Sequence, residues 1–357
     1  MPVLALDYSS GYATALLLNE NLTYKLTRVP VVSPKINYFN KPSDEEVYYN
    51  VVAQVEKDLK VKISDTTKVY VNSLFDLKFK LPNVIFLNKN EAFKSLYPMD
   101  FLYFSHLHVG DNTGVYSGDI DYSRLLKDIF FDEKEETIEN YFGNLDLYPY
   151  TLPSSDRDQY EEIAYLRQIA RNTCKVVSNP SGNYLETKGI ICSTTRDLAS
   201  ENAMCRFMLL CVDSMCSDGF YYFRLDFSNF LGAASAISLV DSPTFQRLEV
   251  PDFVPLGSLV SFFDDLEITF EAENGAKEDL SLEKGQVFTL PVLSNDRVNL
   301  TIRSKKYGNL SKVMTGGAFG IIIDTRDKND ARASTLEQKK SLVRSWEDIL
   351  LVGYKNL

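Results

Sequence analysis

Two apolar runs separated by a four-residue polar turn constrain this chain more than any other segment. Residues 2–7 (PVLALD) and 12–18 (YATALLL) flank Tyr8-Ser9-Ser10-Gly11. Short apolar runs around Ser-Ser-Gly predict an antiparallel hairpin. Asn19, Glu20 and Asn21 supply a second turn, and Leu22 to Val32 reads as a third strand, so the chain opens on a meander. Asp7 ends the first run. An acid and small hydroxyl residues on such a hairpin suit phosphate chemistry: backbone N–H groups and hydroxyls hold the phosphate while the acid orients a metal-bound water. Asp7, Ser9, Ser10, Gly11 and Thr14 are therefore candidate binding residues. The same residues also make an ordinary hairpin with an acid at its rim, and Ser9 stands where close backbone approach to a phosphate normally calls for glycine.

A helix follows the meander. Ser43 and Glu46 form a capping box, and Val47, Val51, Val55 and Leu59 recur every four residues. Val69–Val71 and Val84–Leu87 read as buried strands, and residues 101–109 (FLYFSHLHV) as one further strand turning at Gly110–Gly114. Leu125–Phe142 reads as an acidic helix whose DEKEET run is a solvated face. Helices are predicted over 156–173, 198–216, 229–240 and 335–352, with strands at 189–193 and 221–227. After residue 265, segments 266–273, 286–293, 297–303 and 318–324 read as short strands of a small β domain. The acid pair Asp264-Asp265 reads as part of a polar, solvated linker.

With 357 residues, 45% of them hydrophobic and 24% charged, the chain is long enough for two or three domains with large cores. The net charge of −11 (38 basic against 49 acidic residues), with no basic stripe, argues against nucleic acid and anionic lipid as partners. No stretch approaches the ~18 apolar residues needed to span a bilayer, and the N-terminus lacks a secretory pattern. Five cysteines without a CxxC pair (Cys174, Cys192, Cys205, Cys211 and Cys216) read as reduced core thiols. The expected location is cytoplasmic, without insertion into a membrane.

A phosphate site built on paired hairpins needs a second turn opposite the first. The best segment is Leu107-His108-Val109-Gly110-Asp111-Asn112-Thr113-Gly114-Val115, with Gly110, Asn112 and Thr113 as candidate contacts and Leu107 where an acid is expected. A third turn, where base and ribose lie against backbone, wants glycines, but Ser193-Thr194-Thr195-Arg196 follows the strand GIIC. His106 and His108 lie two apart, as a strand-borne metal pair would, but no third ligand follows, and no metal site is assigned. Walker A, GxSxG and HExxH motifs are absent, and no catalytic residue is assigned.

Several segments, in order, resemble the glutamate mutase L family of actin-like ATPases. Tyr148-Pro149-Tyr150-Thr151-Leu152-Pro153 and the helix DQYEEIAYLRQIAR resemble its Arg-Pro-Thr-x-x-Pro segment and following helix. GIICSTTRDLAS resembles its Ile-Ile-Gly-Ser-Gly-Gly strand and turn with the glycines replaced, and FRLDFSNFLGAASAISLVDSPTFQRL resembles its Leu-Leu-x-Ala-Leu-Gly-Ala-Leu run. Gly316-Gly317-Ala318-Phe319-Gly320-Ile321-Ile322-Ile323-Asp324-Thr325-Arg326 resembles a Gly-Gly-x-x-Gly-x-Ile-x-Asp-x-Arg signature, and the last helix carries the sole tryptophan, Trp346. The resemblance covers most of 148–357 and implies an α/β, actin-like (ribonuclease H-like) ATPase fold with a small C-terminal β domain. The expected divisions are a shortened first half over 1–147, a second half over 148–265, a β domain over 266–330 and a final helix over 331–357.

The family is associated with ATP-dependent maintenance of cobalamin-dependent mutases. Here the second acid and the adenosine-turn glycines are missing, so the expected function is a non-catalytic scaffold or adaptor with a degenerate nucleotide site and no resident cofactor. Its expected partner is a protein, such as an intact paralogue or a membrane-associated assembly, and an oligomer is compatible with this. Two readings stand beside it: an ATP- and Mg-dependent reactivating chaperone using Asp7, Ser10, Thr14, Asn112 and Thr113, and a recognition role centred on the β domain.

Overall fold

Alternation along the first strand decides which groups meet. The structure is a computed structural model. It describes residues 2–9, 12–31, 43–73, 79–96, 101–105, 108–111, 114–116, 121–122, 125–126, 129, 131–147, 155–177, 186–193, 201–326 and 336–355. Strands β1 (Val3–Ser9), β2 (Tyr12–Leu18) and β3 (Tyr24–Pro30) form the expected antiparallel meander. Leu4, Leu6 and Tyr8 point to one side of β1, and Ala5 and Asp7 to the other. The first set packs on helix α1 (Asp44–Leu59) through Val47, Val51, Val55 and Leu59. That helix begins at the Ser43/Glu46 capping box, in which each side chain accepts a hydrogen bond from the other's backbone N–H, at 3.1 and 2.7 Å. The chain then returns as β4 (Lys68–Ser73), parallel to β1, and β5 (Val84–Asn88), parallel to β4, giving a five-stranded sheet in the order β3-β2-β1-β4-β5.

The same order recurs in the second sheet. After the short helix α2 (Lys89–Lys94) come β6 (Phe101–Ser105), β7 (His108–Asp111) and β8 (Gly114–Tyr116), again a meander. Helices α3 (Glu135–Leu147) and α4 (Asp156–Val177) lead to β9 (Thr187–Cys192), parallel to β6. Helix α5 (Glu201–Met215) leads to β10 (Gly219–Leu225), parallel to β9. Thus β8-β7-β6-β9-β10 repeats β3-β2-β1-β4-β5. This duplicated ribonuclease H-like order is the expected α/β, actin-like architecture.

Helix α6 (Phe230–Val240) leaves the second sheet but lies on the first, on the side of Ala5, Leu16, Leu18 and Tyr70. Its run of Gly, Ala and Ser lets backbone come close to the strands. After α7 (Ser242–Gln246), β11 (Val254–Ser261) extends the second sheet beyond β10. Four further strands, β12 (Leu266–Ala272), β13 (Lys277–Leu282), β15 (Arg297–Ser304) and β16 (Gly308–Thr315), make a separate antiparallel sheet in the order β13-β12-β15-β16. Between them β14 (Val287–Leu290) returns to the main sheet, and β17 (Ile321–Asp324) follows beside β11, so the main sheet has eight strands. The small sheet packs Leu266, Ile268, Phe270, Leu300 and Ile302 against Phe220, Val260 and Phe262.

Several expectations shift. Where one strand was expected over 101–109, Phe101–Ser105 and His108–Asp111 are two antiparallel strands, paired with Ser105 opposite His108. The segments 286–293 and 318–324 supply strands of the main sheet, so the β excursion is interleaved with the actin-like core. The eight-stranded sheet draws on residues from Phe101 to Asp324 and so spans the 147/148 division. Helix α3 begins at Glu135, which puts Glu135 and Glu136 in its first turn, where acids complement the helix dipole.

Buried polar clamps join the layers. Arg326 makes a two-pronged contact with Asp324 at 2.8 and 3.0 Å, reaches Asp213 of α5 at 2.8 Å, and lies 4.2 Å from the Trp346 ring. The Asp-x-Arg segment thereby docks the final helix α8 (Leu336–Lys355). Asp264 is buried, not solvated. It accepts hydrogen bonds from the Ser304 hydroxyl and, at 2.8 Å, from the Lys306 N–H, fastening the β15–β16 turn to the start of the small sheet.

The Ser304 hydroxyl and the Lys306 N–H hold the Asp264 carboxyl down to about 2. A carboxyl whose folded value lies below its unfolded value of ~3.9 contributes stability above that pH and loses it as pH falls through the folded value. Urea denaturation between pH 5 and pH 2 tests this. Wild type is expected to lose stability steeply below pH 4, and Asp264→Asn to be weaker at pH 5 with a flatter acid limb. Identical slopes would refute the assignment.

Candidate functional site

The C-terminal ends of β1 and β4 in the first sheet approach those of β9 and β10 in the second, and the N-terminus of α6 lies between them. Parity puts Asp7 and its cross-strand partner Thr14 on the face toward α6, with Asn72 beside Asp7 on β4. Asp7 is 1% exposed. A carboxylate so placed needs a counter-charge. Lys89, the first residue after β5, brings its Nζ to 2.9 Å from Asp7 Oδ1 and is itself 2% exposed. The ammonium also donates to the Tyr8 carbonyl at 3.4 Å.

Asn229 completes the network. Its Nδ2 donates to Asp7 Oδ2 at 3.0 Å and to Thr14 Oγ1 at 2.9 Å, while its Oδ1 accepts from Ser193 Oγ at 3.1 Å. The Asn229 backbone is left-handed (φ 56°), a conformation asparagine tolerates better than most residues. Gly232 then passes against this cluster: a Cβ there would lie 2.6 Å from Asp7 Oδ2 and 2.8 Å from Asn229 Nδ2. Asn72 Nδ2 donates to the Gly232 carbonyl at 3.2 Å and to Ser235 Oγ at 2.9 Å, tying β4 to the same helix.

The α6 N-terminus is an anion-binding position by geometry and dipole. Here the Asp226 carboxylate fills it, accepting from the N–H groups of Phe230 and Leu231, each at 2.9 Å. Burial raises the Asp226 carboxyl above its usual range, with these N–H groups opposing the shift. Phe227, two-thirds exposed at 67%, stands next in the chain, its carbonyl accepting from Arg28 at 3.4 Å.

Of the residues expected to bind phosphate, Asp7 and Thr14 come together. Ser9 ends β1 opposite Tyr12, while Ser10 and Gly11 lie outside the described residues. Gly110 sits within β7, paired with Tyr103 and Val115, and not in a turn. Asn112 and Thr113 lie outside the described residues. Ser193, where glycine was expected, is buried and holds Asn229. Thr194, Thr195 and Arg196 lie outside the described residues.

Sequence reading missed Lys89, Asn72, Asp226 and Asn229. A lysine after a strand reads as surface, and only the helix start at Phe230, with Asn229 before it as an N-cap type, carried a local signal. Among the described residues there is no group of three or more His, Cys, Asp or Glu side chains arranged to hold a metal ion, and no helix long and apolar enough to cross a membrane.

Removing one partner of a buried ion pair costs about 3–5 kcal/mol, because the other charge is left uncompensated. Lys89→Met is expected to lose about that much stability in urea denaturation, and Asp7→Asn/Lys89→Met to lose distinctly less; additive losses would contradict the pairing. A glycine-to-alanine change inside a helix ordinarily gains roughly 1 kcal/mol. Gly143→Ala in α3, where a Cβ meets nothing within 4 Å, is expected to show that gain, whereas Gly232→Ala is expected to lose stability.

No protein-family model matches the chain, and no curated protein matches it. Similar solved structures include the following three. The ethanolamine utilization protein EutJ from Carboxydothermus hydrogenoformans is 11% identical with a TM-score of 0.33, covering 66% of this chain and 88% of that one. A putative sugar kinase from Cytophaga hutchinsonii is 12% identical with a TM-score of 0.30, covering 67% and 99%. The Aquifex aeolicus member of the Ppx/GppA family is 9% identical with a TM-score of 0.24, covering 69% and 91%. The actin-like assignment stands on the duplicated strand order.

Proposed function

We propose that this chain is a non-catalytic actin-like scaffold that works by binding a protein partner, with no nucleotide as a resident cofactor. One observation carries the reading: Asp7, the acid expected to orient a metal-bound water, is buried and neutralised by Lys89 at 2.9 Å. Its other oxygen is held by Asn229. A carboxylate engaged in this way has no charge left to offer a metal ion. The hydroxyls of Thr14 and Ser193, which would otherwise face a phosphate, also serve Asn229. The partner in this reading is an intact paralogue or a membrane-associated assembly contacted without insertion in the cytoplasm, with self-association compatible with either.

The alternative, an ATP-dependent reactivating chaperone of a cobalamin-dependent mutase, draws on the resemblance to the glutamate mutase L family. It requires Lys89 to leave Asp7 when nucleotide enters. Titration calorimetry with Mg-ATP separates the two. The scaffold reading expects no binding heat up to millimolar nucleotide and no phosphate release. Micromolar binding that weakens in Asp7→Ala would replace it with the chaperone.

A further inference from the structure

The site already holds the two charges that a nucleotide and its metal would bring, and both belong to the chain. The cation is the Lys89 ammonium on Asp7, and the anion is the Asp226 carboxylate on the first N–H groups of α6. Between them Asn229 bonds across the two sheets, reaching β1 and β2 through Asp7 and Thr14 and the end of β9 through Ser193. The backbone continues the same bridge: the Asp226 N–H donates to the Cys192 carbonyl at 2.7 Å, and the Asn229 N–H to the Asp226 carbonyl at 3.2 Å. Helix α6 then lies on the first sheet, although it departs from the second.

We propose that Lys89, Asn229 and Asp226 form a ligand-independent latch: they take the places of cation and anion and hold the two sheets in one arrangement without nucleotide. This deepens the non-catalytic reading and rests on it in one respect, that no nucleotide is the normal bridge. The geometry favours a latch over separate local bonds. Asn229 uses both ends of its amide, one for each sheet, and does so from a left-handed backbone position. Gly232 leaves the room that the Asp7 and Asn229 side chains occupy. A second cation at Asp7 would have to expel Lys89 and strand a buried ammonium.

The test is hydrogen exchange on the full chain without nucleotide, repeated with millimolar Mg-ATP. Amides exchange by local or subglobal opening, so a latch that joins the sheets protects both together. In Asn229→Ala, exchange is expected to rise about tenfold in three segments at once, 3–18, 187–193 and 226–240, while 266–315 stays unchanged. Asp264→Asn, which loosens the small sheet, is expected to give the reverse pattern. Mg-ATP is expected to leave the wild-type pattern as it is.

A rise confined to one sheet, or spread evenly through the chain, overturns the latch; added protection of the three segments by Mg-ATP overturns the non-catalytic reading. If Asn229→Ala does not fold, Ser193→Ala decides. It removes only the second-sheet end of the bridge, and a smaller rise that still reaches 3–18 supports the latch, while a rise limited to 187–193 overturns it. Tight Mg-ATP binding by calorimetry would overturn the non-catalytic reading separately, because the latch is judged on nucleotide-free exchange.

Discussion

A carboxylate taken almost wholly out of water has to be matched by a cation and by donors, and in this protein the matching of Asp7 organises the centre of the molecule. The oxygen facing β5 receives the Lys89 ammonium, and the other receives the Asn229 amide. Each partner brings its own constraint. Lys89 must stand at the very end of β5, so the α2 start is fixed there. Asn229 must turn through a left-handed conformation to aim its amide, so α6 begins one residue later. Gly232 must lack a side chain because the carboxylate and amide fill that space. One buried acid thus sets a strand end, a helix start and a glycine.

Similar chemistry recurs at the other joins. Arg326 binds Asp324 and Asp213 and stacks on Trp346, which seats the last helix on α5 and the sheet. Arg206 of α5 reaches Asp156 and Glu347 and lies 4.4 Å from the Tyr160 ring, tying α4, α5 and α8. Asp264 fastens the small sheet. The apolar cores supply most of the burial and form separate clusters, of which one, with Ile191 of β9 beside Ala5, Leu16 and Tyr70, spans the two sheets. Buried charges, each needing a specific partner, fix how those clusters are arranged, since apolar contact tolerates sliding and a bidentate ion pair does not.

These residues bear on function through what they leave unavailable. A hairpin of this kind can hold phosphate when its acid and hydroxyls face an open cleft. Here Asp7, Thr14 and Ser193 are committed to Asn229 and Lys89, and the dipole of α6 is committed to Asp226. The duplicated sheet order rests on apolar residues of β1, β4 and β9 that are buried in succession, and this burial does not depend on the polar groups at the strand ends.

Local pattern made much of the fold legible. The opening meander, the capped helix at Ser43, the helices near 156, 201, 230 and 336, and the strands around them follow from periodicity and turn chemistry that act within a few residues. Where pattern misled, the cause was also physical: β6 and β7 follow each other so closely in sequence that they read as one apolar run, and strands β14 and β17 look like their neighbours although they pair with a different sheet. Asp7 and Thr14 could be chosen as site residues because they share a hairpin. Lys89, Asn72 and Asn229 could not, because they lie between 36 and 222 positions from their partners, and no local property marks a lysine that will be buried against an acid or an asparagine that will bridge two sheets. The sequence by itself determined the strands, most helices and the acid at the first hairpin, since those depend on short-range sterics and hydrophobic period. Only the tertiary structure decided that this acid is closed off from solvent, because that depends on the return of the chain through β4 and β5, which brings Lys89 to 2.9 Å, and on the approach of the second sheet, which brings Asn229 to 3.0 Å.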